Sequence, residues 1–211
     1  MSLTARNKIA RHGAQFIREG QTVLTHGYSR VVASLLLLAS GAQHTNFSII
    51  LLEGSPDGGG AQAASLYSRA GIPTTVVLDS AMAYVMEKVD LVIVGAEGVV
   101  ENGGIVNKIG TYALGITAKA LSKPFYVAAE SYKFARLYPL NQSDLPQVSA
   151  PALKFFDTST GKARQIKEEE GVRAENHPVD FTPAEYITLL FTDLGVLTPS
   201  AVSDELIRLY Q

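Results

Sequence analysis

An α/β fold, doubly wound around a mainly parallel sheet with helices on both faces, is the architecture this sequence predicts. Three observations predict it. Residues 48–52, 74–78, 91–94 and 125–129 are short apolar, often β-branched runs of the kind found in strands buried on both faces. Helix-length stretches alternate with these runs, which is the pattern of repeated β-α units feeding a parallel sheet. The length of 211 residues and a hydrophobic content of 46% are enough for one sizeable core, so a single domain is the default.

The elements follow in order. The chain opens with a helix entered at Ser2 or Thr4, and Ile9, Phe16 and Ile17 share one of its faces. Residues 22–25 are β-prone, and residues 30–39 are helical and apolar around most of their circumference. The strand at 48–52 leads through a Gly/Pro/Asp loop into a helix over 60–70. Gly71 and Pro73 punctuate before the extended run 74–78. A short helix at 81–88, the strand 91–94, a glycine-rich stretch, a helix reaching about residue 121 and the strand 125–129 complete the alternation. Between 141 and 178 the pattern dissolves into what reads as a long, exposed, partly disordered excursion. Order returns at 179–182. A helix is then expected from Pro183, a residue suited to a first helical turn, and residues 187–191, together with 194–197 and the final helix, are apolar enough to suggest a subunit contact. Thr198, Pro199 and Ser200 cap a final helix whose early turns carry Asp204 and Glu205.

Composition excludes several classes. A net charge of −2 leaves no broad basic footprint for nucleic acid. The absence of cysteine removes disulfides, thiolate metal sites and cysteine catalysis together. No run approaches the roughly 20 apolar residues of a membrane span, and the expectation is a soluble, cytoplasmic protein. The four histidines show no metal-ligand spacing. The first strand is not followed by Gly-x-Gly-x-x-Gly, and the Walker A spacing is missing, so no nucleotide cofactor is expected.

Candidate chemistry gathers where the carboxyl ends of parallel strands should meet. The first loop, His26-Gly-Tyr-Ser-Arg30, brings His26, Ser29 and Arg30. Ser29 either caps the helix or, with Arg30 and neighbouring amides, holds an anion. The second loop, residues 53–60, is glycine-rich and either mobile or built for close approach to a ligand. Asp79, just past the third strand, adds a carboxylate. The third stretch carries Glu97, a turn at Asn102-Gly-Gly104, and Asn107-Lys108, where a new helix is expected to open. An amide, a lysine and free backbone N–H groups at a helix start would make an anion site; the plainer alternative is a loop with a surface lysine.

This third stretch, Gly95-Ala-Glu-Gly-Val-Val-Glu-Asn-Gly-Gly, together with Lys123-Pro-Phe-Tyr-Val127, resembles a known signature. It is similar to the family joining the regulatory alpha, beta and delta subunits of translation initiation factor 2B to methylthioribose-1-phosphate isomerase and ribose-1,5-bisphosphate isomerase. Thr25-His-Gly-Tyr-Ser-Arg-Val-Val32, Pro139-Leu-Asn-Gln142 and the stretch 189–205 strengthen the likeness, which is nearest to the alpha subunits and weakens only between 143 and 176. The resemblance implies a Rossmann-like C-terminal domain over 21–211, with residues 1–20 a helical linker remaining from a preceding helical domain. It implies a homodimer, assembly with the beta, gamma, delta and epsilon subunits, and contact with initiation factor 2 phosphorylated on its own alpha subunit. The C-terminal helices and residues 130–134, which mix aromatic and charged groups, are the expected dimer contact. In the isomerases a cysteine and an aspartate carry the chemistry. Their positions correspond here to Gly27 and Glu97, while Asn107 and Lys108 match positions that contact substrate phosphate. Glycine has no side chain with which to exchange a proton, so the resemblance implies a pocket that binds a phosphosugar without converting it. A working sugar-phosphate isomerase is the alternative.

Overall fold

The computed structural model describes residues 2–145, 154–157, 159–165 and 175–209. In chain order its elements are α1 (Ser2–Ala14), β1 (Thr22–His26), α2 (Arg30–Gly41), β2 (Ser48–Leu52), α3 (Gly60–Arg69), β3 (Thr74–Val77), α4 (Met82–Met86), β4 (Leu91–Gly95), β5 (Gly98–Val100), β6 (Ile105–Lys108), α5 (Thr111–Ala120), β7 (Phe125–Ala128), β8 (Phe134–Ala135), β9 (Lys154–Asp157), β10 (Lys162–Gln165), β11 (Val179–Thr182), β12 (Leu189–Thr192), β13 (Gly195–Leu197) and α6 (Val202–Leu209).

The main sheet has seven strands in the order β13-β12-β7-β4-β1-β2-β3. All neighbours run parallel except β12 and β13. Successive side chains of a strand point to opposite faces, so a strand covered on both sides must be apolar throughout. β4 does this: Leu91 and Ile93 enter one core, Val92 and Val94 the other. The first core lies under α1, α2 and α3, the second under α4, α5 and α6. This is the doubly wound, Rossmann-like architecture expected. From β1 the chain steps outward to β2 and β3, then returns to β4 on the other side of β1. The order therefore reverses between β1 and β4, where the loops that follow them diverge and leave a crevice.

α1 is seated on the sheet. Ile9, Ala10 and Ala14 are buried in the first core beside Leu35 of α2. Beyond the helix, Phe16 packs on Phe191 and Tyr126, with ring centroids 4.8 and 5.5 Å apart.

The structure corrects three expectations. Residues after Pro183 form one 3-10 turn, Ala184–Tyr186, and then strand β12, not a helix. A short apolar run does not reveal by its period whether it is a buried strand or a buried helix. Here Leu190 and Phe191 are fully buried between β7 and β13, while Leu194 and Val196 beyond them are exposed. The stretch after β4 is not a loop. It forms the hairpin β5–β6, extended by β11 and β8 into a second, four-stranded sheet. Finally, Asn107 and Lys108 end β6, and the helix expected to open at them begins at Thr111. Within the expected excursion, the described residues form a 3-10 turn, Gln142–Asp144, and the antiparallel pair β9–β10. The rest of that expectation lies outside the described residues.

Candidate functional site

The cleft is built from backbone approach outward. β1 ends at His26, and Gly27 turns the chain at φ 57°, in the left-handed region that glycine enters without steric cost. Gly54, also left-handed, lies directly against it: a Cβ on Gly54 would fall 2.8 Å from the Gly27 Cα. The first two loops can meet this closely because Gly54 lacks a side chain. At the end of β4 the same device recurs, since a Cβ on Gly95 would sit 2.5 Å from the Ser29 Oγ. Ser29 is pressed into that space as the N-cap of α2, where its hydroxyl accepts from the Val32 N–H at 3.5 Å. Capping, one of the two readings of Ser29, is thus what the geometry contains.

Ser29, Arg30, Glu97, Asn107 and Lys108 line one cleft of about 270 Å³ at the switch point. Tyr28, Glu130 and Lys133 complete its polar wall. His26 and Asp79 do not line it. They pair beside it, with His26 Nε2 and Asp79 Oδ1 3.6 Å apart. Asp79 also accepts from the backbone N–H groups of Gly54 (2.9 Å) and Ser55 (2.7 Å), fixing the start of the second loop. Burial works to raise the pKa of Asp79, but the His26 imidazole and these amides outweigh it and hold the carboxyl below its usual range.

Charge in the cleft is balanced. Lys108 pairs with Asp57 from the second loop and with Glu97 at 3.4 Å. The Asp57 carboxylate is the main cause that raises the pKa of Lys108. Lys133 pairs with Glu130 at 2.9 Å and donates to the Ala96 carbonyl at 2.7 Å. Glu130 is buried and also receives Arg6 of α1 at 3.8 Å and the Tyr132 hydroxyl at 3.1 Å. Burial pushes the Glu130 carboxyl upward, yet Lys133 and its other partners leave it below the ordinary value. Arg30, exposed at the first turn of α2, has no ion-pair partner among the described residues.

The amides at the start of α5, expected to be free for an anion, are taken. The Oδ2 of Asp180 accepts from the N–H groups of Gly110 (2.8 Å) and Tyr112 (3.0 Å). Asn107 is buried directly opposite Asp180 in the β6–β11 register and donates to the Thr111 hydroxyl at 3.1 Å, so it braces the same helix start. An internal carboxylate thus satisfies the helix dipole, and ligand-facing positive charge in the cleft is left to Lys108, Lys133 and Arg30. Desolvation raises the Asp180 pKa to about 6, against the amides that favour its charged form.

Sequence reasoning missed Asp57, Glu130, Lys133 and Asp180. Asp57 sat unremarked inside a loop noticed for its glycines. Glu130 and Lys133 were noticed only as contact surface, whereas Glu130 and Phe134 are in fact buried within the chain and Tyr132 is exposed. Asp180 reaches its partners across 70 residues, a distance no local pattern spans. Among the described residues no three His, Asp or Glu side chains cluster as metal ligands, and no helix is long and apolar enough to cross a membrane.

Fold and cleft together define a Rossmann-like α/β domain with a polar, charge-balanced crevice at the carboxyl ends of its strands. The chain belongs to the initiation factor 2 subunit family, whose model matches residues 1–199. It is 50% identical over 209 residues to a Dictyostelium discoideum protein named translation initiation factor eIF2B subunit alpha, covering 99% of this chain and 65% of that one. The Caenorhabditis elegans protein of the same name is 40% identical, with 98% and 64% covered. A ribose 1,5-bisphosphate isomerase from Archaeoglobus fulgidus is 34% identical, with 93% and 60% covered. Among solved structures, the Pyrococcus horikoshii translation initiation factor eIF-2B superposes with a TM-score of 0.78 at 30% identity, covering 94% of this chain and 66% of that one. The 5-methylthioribose 1-phosphate isomerase of the same organism reaches 0.78 at 27% identity, with 99% and 59% covered. The chain therefore spans just under two thirds of the length of the two alpha-subunit relatives. The family is the one its motifs resemble.

Proposed function

We propose that this chain acts as a regulatory, non-catalytic subunit of the alpha type in the guanine-nucleotide exchange factor for translation initiation factor 2. The observation that carries the proposal is 50% identity over 209 residues to a protein named as that subunit. In this reading the chain forms a homodimer in the cytoplasm and assembles with the beta, gamma, delta and epsilon subunits. It then helps the complex respond to initiation factor 2 phosphorylated on its alpha subunit. The cleft takes a small phosphorylated sugar: Arg30 and Lys108 face the phosphate, while Glu97 accepts from sugar hydroxyls. Ser29, Asn107, His26 and Asp79 hold the surrounding loops in place. No cofactor or metal is called for.

The geometry at Gly27 supports a binding role over the isomerase reading. The resemblance places the isomerases' reactive cysteine here, where this chain has a left-handed glycine packed on Gly54. Half of any acid/base pair is thereby missing. Turnover of ribose-1,5-bisphosphate or methylthioribose-1-phosphate above the buffer rate would reverse that preference.

The direct test is recovery of the tagged chain from a lysate of the cells that make it, with the mass and composition of the complex measured. Co-recovery of the other exchange-factor subunits is expected. A chain that emerges with none of them overturns the assignment.

A further inference from the structure

Resting on the reading of the cleft as a phosphate-ester site, the geometry points to Asp57 as its internal competitor: a carboxylate, carried on a strap, that holds Lys108 until a stronger anion displaces it. The strap is the run of residues 53–60. One end is pinned by Asp79, which accepts from the Gly54 and Ser55 amides. The other end is pinned where the Gly60 N–H donates to the Glu53 carbonyl at 2.9 Å and where Gly59 packs on Tyr28. Between the pins, residues 55–58 are exposed. Asp57 projects from this tip onto Lys108.

The charges of the cleft say which pair can yield. A phosphate dianion entering beside Glu97 and Glu130 must gain cations that are otherwise neutralised. Lys133 is not available cheaply, because releasing it would leave the Glu130 carboxylate buried with one fewer partner. Asp57 differs. Its side chain is 53% exposed, so on leaving Lys108 it is rehydrated at once. At the tip, a Cβ on Gly58 would meet nothing within 4 Å, so Asp57 has room to turn away while the ends stay pinned. An exposed pair of this kind contributes little stability, so a modest gain elsewhere suffices to open it.

A threshold follows from the exchange itself. A ligand carboxylate would swap one carboxylate on Lys108 for another and gain almost nothing. A phosphate monoester carries nearly twice the charge and three acceptor oxygens, enough to engage Lys108 together with Arg30, which has no ion-pair partner among the described residues. Asp57 thus sets a threshold that a phosphate ester passes and a sugar acid barely meets.

The test compares the wild-type chain, Asp57→Asn, Lys108→Ala and the double variant by calorimetric titration with ribose 5-phosphate and with gluconate. Asp57→Asn should bind ribose 5-phosphate and gluconate each about two- to fivefold tighter, with the ratio between them unchanged. The gain should vanish when Lys108→Ala is also present. Equal affinity of wild type and Asp57→Asn overturns the role of Asp57 while leaving the phosphate-ester cleft standing. No binding by either sinks the cleft and the strap together. Amide hydrogen exchange needs no ligand and separates these cases. Residues 54–60 should exchange faster in both Asp57→Asn and Lys108→Ala than in the wild type, and unchanged exchange overturns the strap.

Discussion

Asp180 shows how much one side chain can carry. It caps α5 through two amides, yet its other oxygen, Oδ1, is buried with no hydrogen-bond partner among the described residues. Its folded pKa of about 6 lies above the ordinary value of 3.8. The native state therefore holds this proton more tightly than the unfolded chain does. That contribution is complete below about pH 4 and is lost as pH rises through about 6. Asp79 and Glu130, with lowered values, run the other way and stabilise the fold above their ordinary range. The effect must be read as a difference between Asp180→Asn and wild type. By urea unfolding, the variant should gain up to about 3 kcal/mol on the wild type between pH 4 and pH 7. A gap that stays constant across that window refutes the assignment. A second residue-scale expectation concerns Gly95→Ala. The new methyl would collide with Ser29 and cost about 1–3 kcal/mol, partly recovered by Ser29→Gly in the same chain. Additive losses in the double variant would show that the two residues do not press on one another.

At the scale of elements, β12 and α1 depend on each other. Phe191 is fully buried in the sheet and touches Phe16 just beyond α1, with Tyr126 5.1 Å away on β7. Phe191→Ala should cost about 3–5 kcal/mol, because a large cavity opens where α1 meets the sheet. Removing residues 1–14 should be at least as damaging, since it strips Ile9, Ala10 and Ala14 from the first core. A truncated chain as stable to urea as the intact one would make α1 a linker after all. The elements were legible to different degrees. β2, β3, β4 and β7 announced themselves by apolar or β-branched runs of strand length, and α2 by a serine ahead of an apolar helix. β5 and β6 did not: Gly98, Gly103 and Gly104 read as a loop, and the strands exist because β11 and β8 pair with them from far along the chain.

Across the whole molecule, the cleft couples four segments: the loops after β1 and β2, the stretch after β4, and the turn after β7. A ligand bridging Arg30 and Lys108 joins α2 to the second sheet, so binding should report as global stability. At a hundredfold excess over its dissociation constant, a sugar phosphate should stabilise the chain by about 2.7 kcal/mol. A thermal-shift series with pentose and hexose phosphates measures this. The shift should disappear in Lys108→Ala, and an equal shift in that variant would place the ligand elsewhere. By sedimentation the chain should be a dimer at micromolar concentration. The exposed Tyr132, Ile207 and Leu209 are the apolar groups nearest the expected contact, and a monomer throughout would count against it.

By itself the sequence determined what depends on near neighbours. Apolar runs buried on both faces set the parallel sheet, Ser29 set the start of α2, and the missing cysteine excluded thiol chemistry. It also placed Ser29, Arg30, Glu97, Asn107 and Lys108 at strand ends, because short loops between alternating elements leave few other places for them. Tertiary structure alone decided that residues 189–192 are a strand, that Asp180 occupies the start of α5, and that Asp57 rests on Lys108. The physical reason is common to all three. A short apolar run takes its conformation from the partners that bury it, and a carboxylate takes its role from the amide or ammonium it meets. Those partners lie in distant segments, brought into contact only when the sheet closes around the point where its strand order turns back.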